Sequence, residues 1–234
     1  MIWMWRKQKH ISWLKSLLNK LKGIREKGSV KFLCLIPYPS KMKIGLYFGT
    51  FNPIHIGHMI IANHMAEHSD LDQIWMVVTP HNPLKQKTTL LDDYQRLHMV
   101  TLASEDFTKI KPSDIEFKLP QPNYTVNTLA HLEEKYPKYE FALIMGEDNL
   151  NSLHKWKNYE VILGNHHIYV YPRLNSGEID EQFVNHAKIH RVGAPVIELS
   201  STFIRESIKN KKNVAPMLPQ KVWEYIDSSA FYRK

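Results

Sequence analysis

Cysteine is nearly missing from this 234-residue chain: Cys34 stands alone. One thiol cannot close an intramolecular disulfide or build a cysteine metal site, and a reducing cytoplasm is the compartment that fits. Also missing is any apolar run of about 18 residues or more, so nothing in the sequence reads as a membrane-spanning helix. There is no internal repeat and no low-complexity tract. The metalloprotease pattern His-Glu-x-x-His is absent too. What remains is a chain of ordinary globular composition, long enough for one good-sized domain with an appendage.

Its net charge of +8 invites a nucleic-acid reading, but the distribution argues against one. Residues 1–41 hold ten Lys or Arg and one acid, Glu26, which is +9. Residues 42–234 hold the other 21 bases against 22 acids, which is −1. The excess belongs to a leader, and the body is nearly neutral. The leader also carries Trp3, Trp5 and Trp13, with Ile11, Leu14, Leu18 and Leu21 at helical spacing among lysines. Two readings stay open: an unstructured, dispensable extension, or a basic amphipathic helix lying on an anionic membrane surface. The run Phe32–Ile36 is too short for a secretory signal.

From Met42 the pattern alternates. Strands are expected at Lys43–Phe48, Ile74–Thr79, Tyr139–Met145, His167–Tyr171 and Val196–Leu199. Helices are expected at Ile56–His68, Asp92–Ser104, Val126–Tyr136, Thr202–Lys209 and Gln220–Asp227. Such alternation predicts an α/β fold, a Rossmann-like doubly wound parallel sheet in one domain over 42–234. Ligands of such sheets bind at the carboxyl ends of strands, so the loops there should hold the chemistry.

The first of these turns reads Gly49-Thr50-Phe51-Asn52-Pro53-Ile54-His55-Ile56-Gly57-His58. Unpaired backbone N–H groups and the helix dipole make such a turn a phosphate site, and Gly57 lets a phosphate approach the backbone. His55 and His58 reach the same spot; the dipole favours their neutral form, and a bound triphosphate favours the cations. The alternative is a zinc pair, for which no third ligand is evident. Late in the chain Ser200-Ser201-Thr202-Phe203-Ile204-Arg205 offers a helix N-cap, and Arg205 one turn in, a guanidinium suited to phosphate.

His-x-Gly-His after a first strand resembles the signature of the HxGH nucleotidyltransferase superfamily, and Met42 to about Tyr232 is similar to the bacterial nicotinate-nucleotide adenylyltransferase family. That family's first loop usually reads Phe-Gly-Gly-Thr-Phe-Asp-Pro; here Phe48 replaces the first glycine and Asn52 the aspartate. The resemblance implies catalytic roles for His55, His58 and Arg205. It implies ATP contacts from Gly49, Thr50, Phe51, Gly57, Ser200, Ser201 and Thr202. Gly146-Glu147-Asp148 resembles the family's Gly-x-Asp, adding Gly146, with Asp148 accepting hydrogen bonds from ribose hydroxyls. For the mononucleotide the resemblance implies Asn82 and Lys85 in the loop Pro80–Lys85, Thr125 in Asn123-Tyr124-Thr125-Val126-Asn127-Thr128-Leu129, Trp156 as a stacking face with Lys157 beside it, and Arg173 at a phosphate. Without the family, Thr125 would read as a helix cap and Trp156 as packing.

The implied reaction needs no nucleophile–base pair, because a phosphate monoester can attack the α-phosphorus of ATP directly. Mg2+ would bridge the phosphates, held by substrate oxygens and water rather than by a protein metal site. The expected partners are ATP and nicotinate mononucleotide, and no nucleic acid. Nicotinamide mononucleotide or phosphopantetheine as acceptor, or a non-catalytic nucleotide-binding role, remain the alternatives. Oligomeric state leaves no signal in the sequence.

Overall fold

A computed structural model describes residues 41–80, 90–174 and 176–233. The leader before Lys41, and Asn82 and Lys85, lie outside the described residues. The first strand, β1 (Met42–Gly49), leads into α1 (Ile56–His68), then β2 (Gln73–Val78), α2 (Asp93–Ser104) and β3 (Ile110–Ser113). After α3 (Thr125–Lys135) come β4 (Tyr139–Gly146), α4 (Glu147–Asn151), a short helical turn at Leu153–Lys155, and α5 (Tyr159–Asn165). The chain continues through β5 (Ile168–Tyr171), α6 (Glu181–Val184), β6 (Ile189–Arg191), α7 (Ser201–Lys209) and α8 (Gln220–Ser228).

The six strands form one sheet in the order β3-β2-β1-β4-β5-β6, every pair parallel. From β1 the chain builds outward through β2 and β3; it then returns to the other side of β1 with β4 and builds outward again. The crevice between the carboxyl ends of β1 and β4 is therefore the topological switch point, where a doubly wound sheet opens for a ligand.

Strand alternation distributes the core. Ile44, Leu46, Phe141, Leu143 and Met145 face one side, packing with Leu129, Leu132, Ile162 and Phe183. Tyr47, Ile74, Met76 and Ile144 face the other, against Met65, Met99, Ile204 and Val222. In parallel sheets with helices on both faces, strands are buried on both sides and read as near-continuous apolar runs, as β4 does. Gly45 interrupts β1 for a packing reason: a Cβ there would lie 2.7 Å from the side-chain tips of both Ile144 and Leu71.

Two edges differ from expectation. Val196–Leu199 forms no strand. The place beside β5 is taken by β6, and Val196 is left half exposed. β3 has only four residues and contains Pro112, which lacks a ladder donor and is tolerated because β3 is at the sheet edge. No helix among the described residues is long and apolar enough to cross a membrane.

Candidate active site

The loop between β1 and α1 is shaped from inside. Phe51 adopts φ +45° and is 1% exposed, its ring folded beneath the loop. A Cβ on Gly49 would lie 2.7 Å from that ring, so Gly49 serves the Phe51 packing. With its side chain buried, Phe51 can meet a nucleotide only through its backbone. The Phe51 ring stands edge-on to His58, centroids 5.1 Å apart, and so backs the second histidine.

His55 caps α1 in an extended conformation, and His58 occupies its first turn. Their rings stack at 3.7 Å with 27° between planes, and His58 Nδ1 accepts from the His55 N–H at 3.3 Å. His55 is 4% exposed, and its Nδ1 has no hydrogen-bond partner among the described residues. At Gly57 a Cβ would meet the His55 ring at 3.0 Å, so the glycine seats that imidazole as well. Burial first, and the Arg173 cation second, lower the His55 pKa from 6.5 to about 4. The ring is neutral at neutral pH without ligand.

The start of α7 is tied to the same loop. Ser200 caps it, accepting from Phe203 N at 3.1 Å, and Ser201 Oγ donates to the Pro53 carbonyl at 2.8 Å. Arg205 donates to the Asn52 carbonyl at 2.8 Å and to Thr202 Oγ1 at 3.2 Å. Two helix N-termini, those of α1 and α7, are thus bound to one loop. At the end of β4, Asp148 Oδ1 and Arg173 Nε approach to 3.6 Å across Gly146, where a Cβ would collide with the Asp148 carboxylate and crowd Arg173. Arg173 also lies over the Tyr171 ring at 5.4 Å.

Residues 46–207 match the model of the Cytidylyltransferase-like family. A Flavobacterium psychrophilum protein named "Probable nicotinate-nucleotide adenylyltransferase" is 79% identical over 193 residues, which are 82% of this chain and all of the relative. A Bacteroides thetaiotaomicron protein of the same name is 42% identical over 191 residues, 80% of this chain and 92% of that one. The chain belongs to the nicotinate-nucleotide adenylyltransferase family. Its fold is shared with the Plasmodium falciparum nicotinic acid mononucleotide adenylyltransferase solved with NaAD, at TM-score 0.69 and 20% identity over 81% of this chain and 97% of that one.

Of the residues expected at the mononucleotide, Thr125, Trp156 and Lys157 lie together, whereas Arg173 lies with Asp148. Thr125 is the first residue of α3, and the cap position belongs to Tyr124, so Thr125 does not cap the helix. Lys157 Nζ sits 4.6 Å over the Tyr124 ring, joining the start of α3 to the segment that carries Trp156. Trp156 is partly buried and packs on the core beside it.

Several polar groups behind the site escaped the sequence reading. Arg96 is fully buried; it donates to the carbonyls of Thr50 at 2.6 Å, Thr79 at 3.0 Å and Leu91 at 3.1 Å, and pairs with Asp93. A signal existed, since Arg96, Met99, Val100 and Ala103 form one helical stripe and a lone arginine stands in it. Glu147 accepts from Arg191 at 3.1 Å, Ser176 Oγ at 3.0 Å and Arg173 N at 3.2 Å, fixing the rim beyond β4. Glu116 takes the Thr128 hydroxyl at 2.7 Å, and burial raises its pKa against that bond.

The lowered His55 pKa has a definite sign. Between pH 6.5 and about 4 the unfolded chain takes up a proton that the folded site refuses, so stability falls as pH drops through that window. Full protonation of the difference amounts to about 3 kcal/mol. His55→Gln should lose this pH dependence, giving urea midpoints that converge with those of the parent as pH falls from 7 to 4.5. Parallel midpoint curves for the two proteins would count against a neutral buried His55.

Proposed function

We propose that this chain transfers the adenylyl group of ATP to nicotinate mononucleotide, giving deamido-NAD and pyrophosphate. The observation that carries the reading is the clamp: two helix N-termini, one with the stacked His55–His58 pair and one with Arg205, tied to a single loop at the switch point. Partial positive charge at helix starts, a guanidinium and imidazoles that gain protons beside phosphate suit a polyphosphate. The family's relatives carry the same named activity over the length that this chain covers.

An oxygen of the mononucleotide phosphate attacks the α-phosphorus of ATP in line. The new P–O bond forms as the bond to the outer diphosphate breaks, and pyrophosphate departs with the electron pair. No proton has to be removed first, because the nucleophile is already an anion. Catalysis then comes from positioning and from charge stabilisation as the leaving group develops. His58 and Arg205 supply donors at the phosphates, and His55 becomes a donor once a triphosphate offsets its burial. Asp148 beside Gly146 takes ribose hydroxyls, and Arg173 reaches the phosphate region from β5. On the acceptor side, backbone N–H groups near Thr125 and Lys157 meet the pyridine carboxylate, and Trp156 offers its face to the ring.

The donor set suits Mg2+ carried in by ATP. Glu147 is committed to Arg191, Ser176 and Arg173, and Asp148 lies against Arg173, so the ion's ligands would be phosphate oxygens and water. Bound there, it would neutralise phosphate charge. The enzyme itself is residues 42–234 and works in the cytoplasm, with residues 1–41 as a leader outside it. The 193-residue match that spans the whole F. psychrophilum relative supports that boundary.

Pyrophosphate release from MgATP, with each acceptor offered separately, tests the reaction. Nicotinate mononucleotide should have the highest kcat/KM, since the amide of the nicotinamide form leaves buried N–H groups unpaired; equal constants, or turnover with phosphopantetheine alone, would reject the assignment. His58→Ala should cut kcat by about a hundredfold or more with the mononucleotide KM changed only a few-fold, the pattern for losing one preorganised donor. Turnover near the parent value would remove His58 from the mechanism. A protein starting at Met42 should fold and keep its kcat and KM. A large loss on that truncation would place the leader within the enzyme.

A further inference from the structure

We propose that Tyr232 is a positioning residue of this active site: its hydroxyl fixes Asn52, and through the Asn52 carbonyl it fixes the Arg205 guanidinium. The inference rests on the reading of Arg205 as a phosphate ligand and extends the site to a residue that no motif marks.

The geometry begins in the turn after α8. Ala230 N donates to the Asp227 carbonyl at 3.2 Å, and Phe231 N to the Ile226 carbonyl at 3.1 Å. Ala230 and Tyr232 take φ +54° and +62°, left-handed conformations that reverse the chain. The Phe231 ring stands edge-on to Tyr225 at 5.4 Å, which fixes the turn on the helix. So held, the Tyr232 hydroxyl donates to Asn52 Oδ1 at 2.8 Å, across 180 positions of sequence. The same oxygen accepts from Leu91 N at 3.3 Å. Asn52 is 1% exposed, and its carbonyl receives Arg205 Nη1 at 2.8 Å. One buried residue thus presents its side-chain oxygen to Tyr232 and its main-chain oxygen to Arg205. Removing the phenol hydroxyl takes a donor from Oδ1 where water does not easily replace it, so Asn52 settles differently and the Arg205 acceptor moves with it.

The departure from the family's aspartate fits this arrangement. An amide at position 52 accepts two hydrogen bonds without a negative charge beside Arg205 and Arg96, so the guanidinium charge stays available to phosphate. Burial raises the Tyr232 pKa, while Arg205 and Arg96 pull the other way. The phenol remains a donor at neutral pH.

Tyr232→Phe, Arg205→Lys and the double variant form the test, with Phe231→Leu as a packing control. The readouts are affinity for a non-hydrolysable ATP analogue by calorimetry, kcat, and melting temperature. Tyr232→Phe should weaken analogue binding and lower kcat by about fivefold each, the scale of one hydrogen bond. The mononucleotide KM should hold, and melting should drop no further than in Phe231→Leu. In the Arg205→Lys background the Tyr232→Phe effect should shrink, because both changes act on one contact. A role in packing alone predicts unchanged affinity and turnover below the melting temperature, or effects that multiply; either result overturns the proposal, as does unchanged analogue binding in Arg205→Lys. If the parent fails to adenylylate nicotinate mononucleotide, the functional reading fails, while the analogue-binding cycle still decides Tyr232.

Discussion

Two guanidinium groups grip the loop that follows β1, and the rest of the site is arranged around that grip. Arg96 holds the Thr50 carbonyl from below, and Arg205 holds the Asn52 carbonyl from α7. Between them lies Phe51, in a left-handed conformation that a side chain rarely adopts. A trans peptide points its N–H opposite its C=O, so fixing the Thr50 carbonyl also fixes where the next N–H points. The direction of the Phe51 N–H is therefore set before any ligand arrives. Preorganised donors are the kind that stabilise a developing charge without reorganisation.

Arg96 also joins the loop to the end of β2 through Thr79, and Thr79 N donates to the Gly49 carbonyl at 2.9 Å. The ends of β1 and β2 and the start of α2 are thus tied together. Glu147 does the same on the far side, collecting Arg173, Ser176 and Arg191. Both hubs are charged groups taken largely out of water, which is costly unless every polar atom is paired. Their bonds meet that demand, and they tie down the two sides of the crevice. Within it, His55 is neutral by burial. On the proposed function, phosphate binding and imidazole protonation would favour each other.

Local pattern carried much of the fold. The Ile56–His68 helix has the bounds that its spacing predicts, and Asp92 caps α2 as its side-chain chemistry requires. Strands β1, β2 and β4 agree to within a residue at each end because their central residues are buried on both faces and largely apolar, with Gly45 the one break in the middle of β1. The weak elements were the edges. Pro112 hides β3, and three residues are too few for β6 to show a period. Val196–Leu199 has strand-like residues, yet a strand also needs a neighbour, and β6 had already taken the place beside β5.

The sequence by itself determined the alternation, the strand-to-helix turn with its two histidines, the late Ser-Ser-Thr helix start and the family. Each is written in residues close together in the chain, where spacing and capping chemistry are legible. Only the tertiary structure decided which polar groups are buried and what they hold. Asn52 meets Arg205 across 153 positions and Tyr232 across 180, and neither contact leaves a local period. The pKa of His55 belongs to the same class, because desolvation depends on what packs over the ring rather than on its neighbours in the chain.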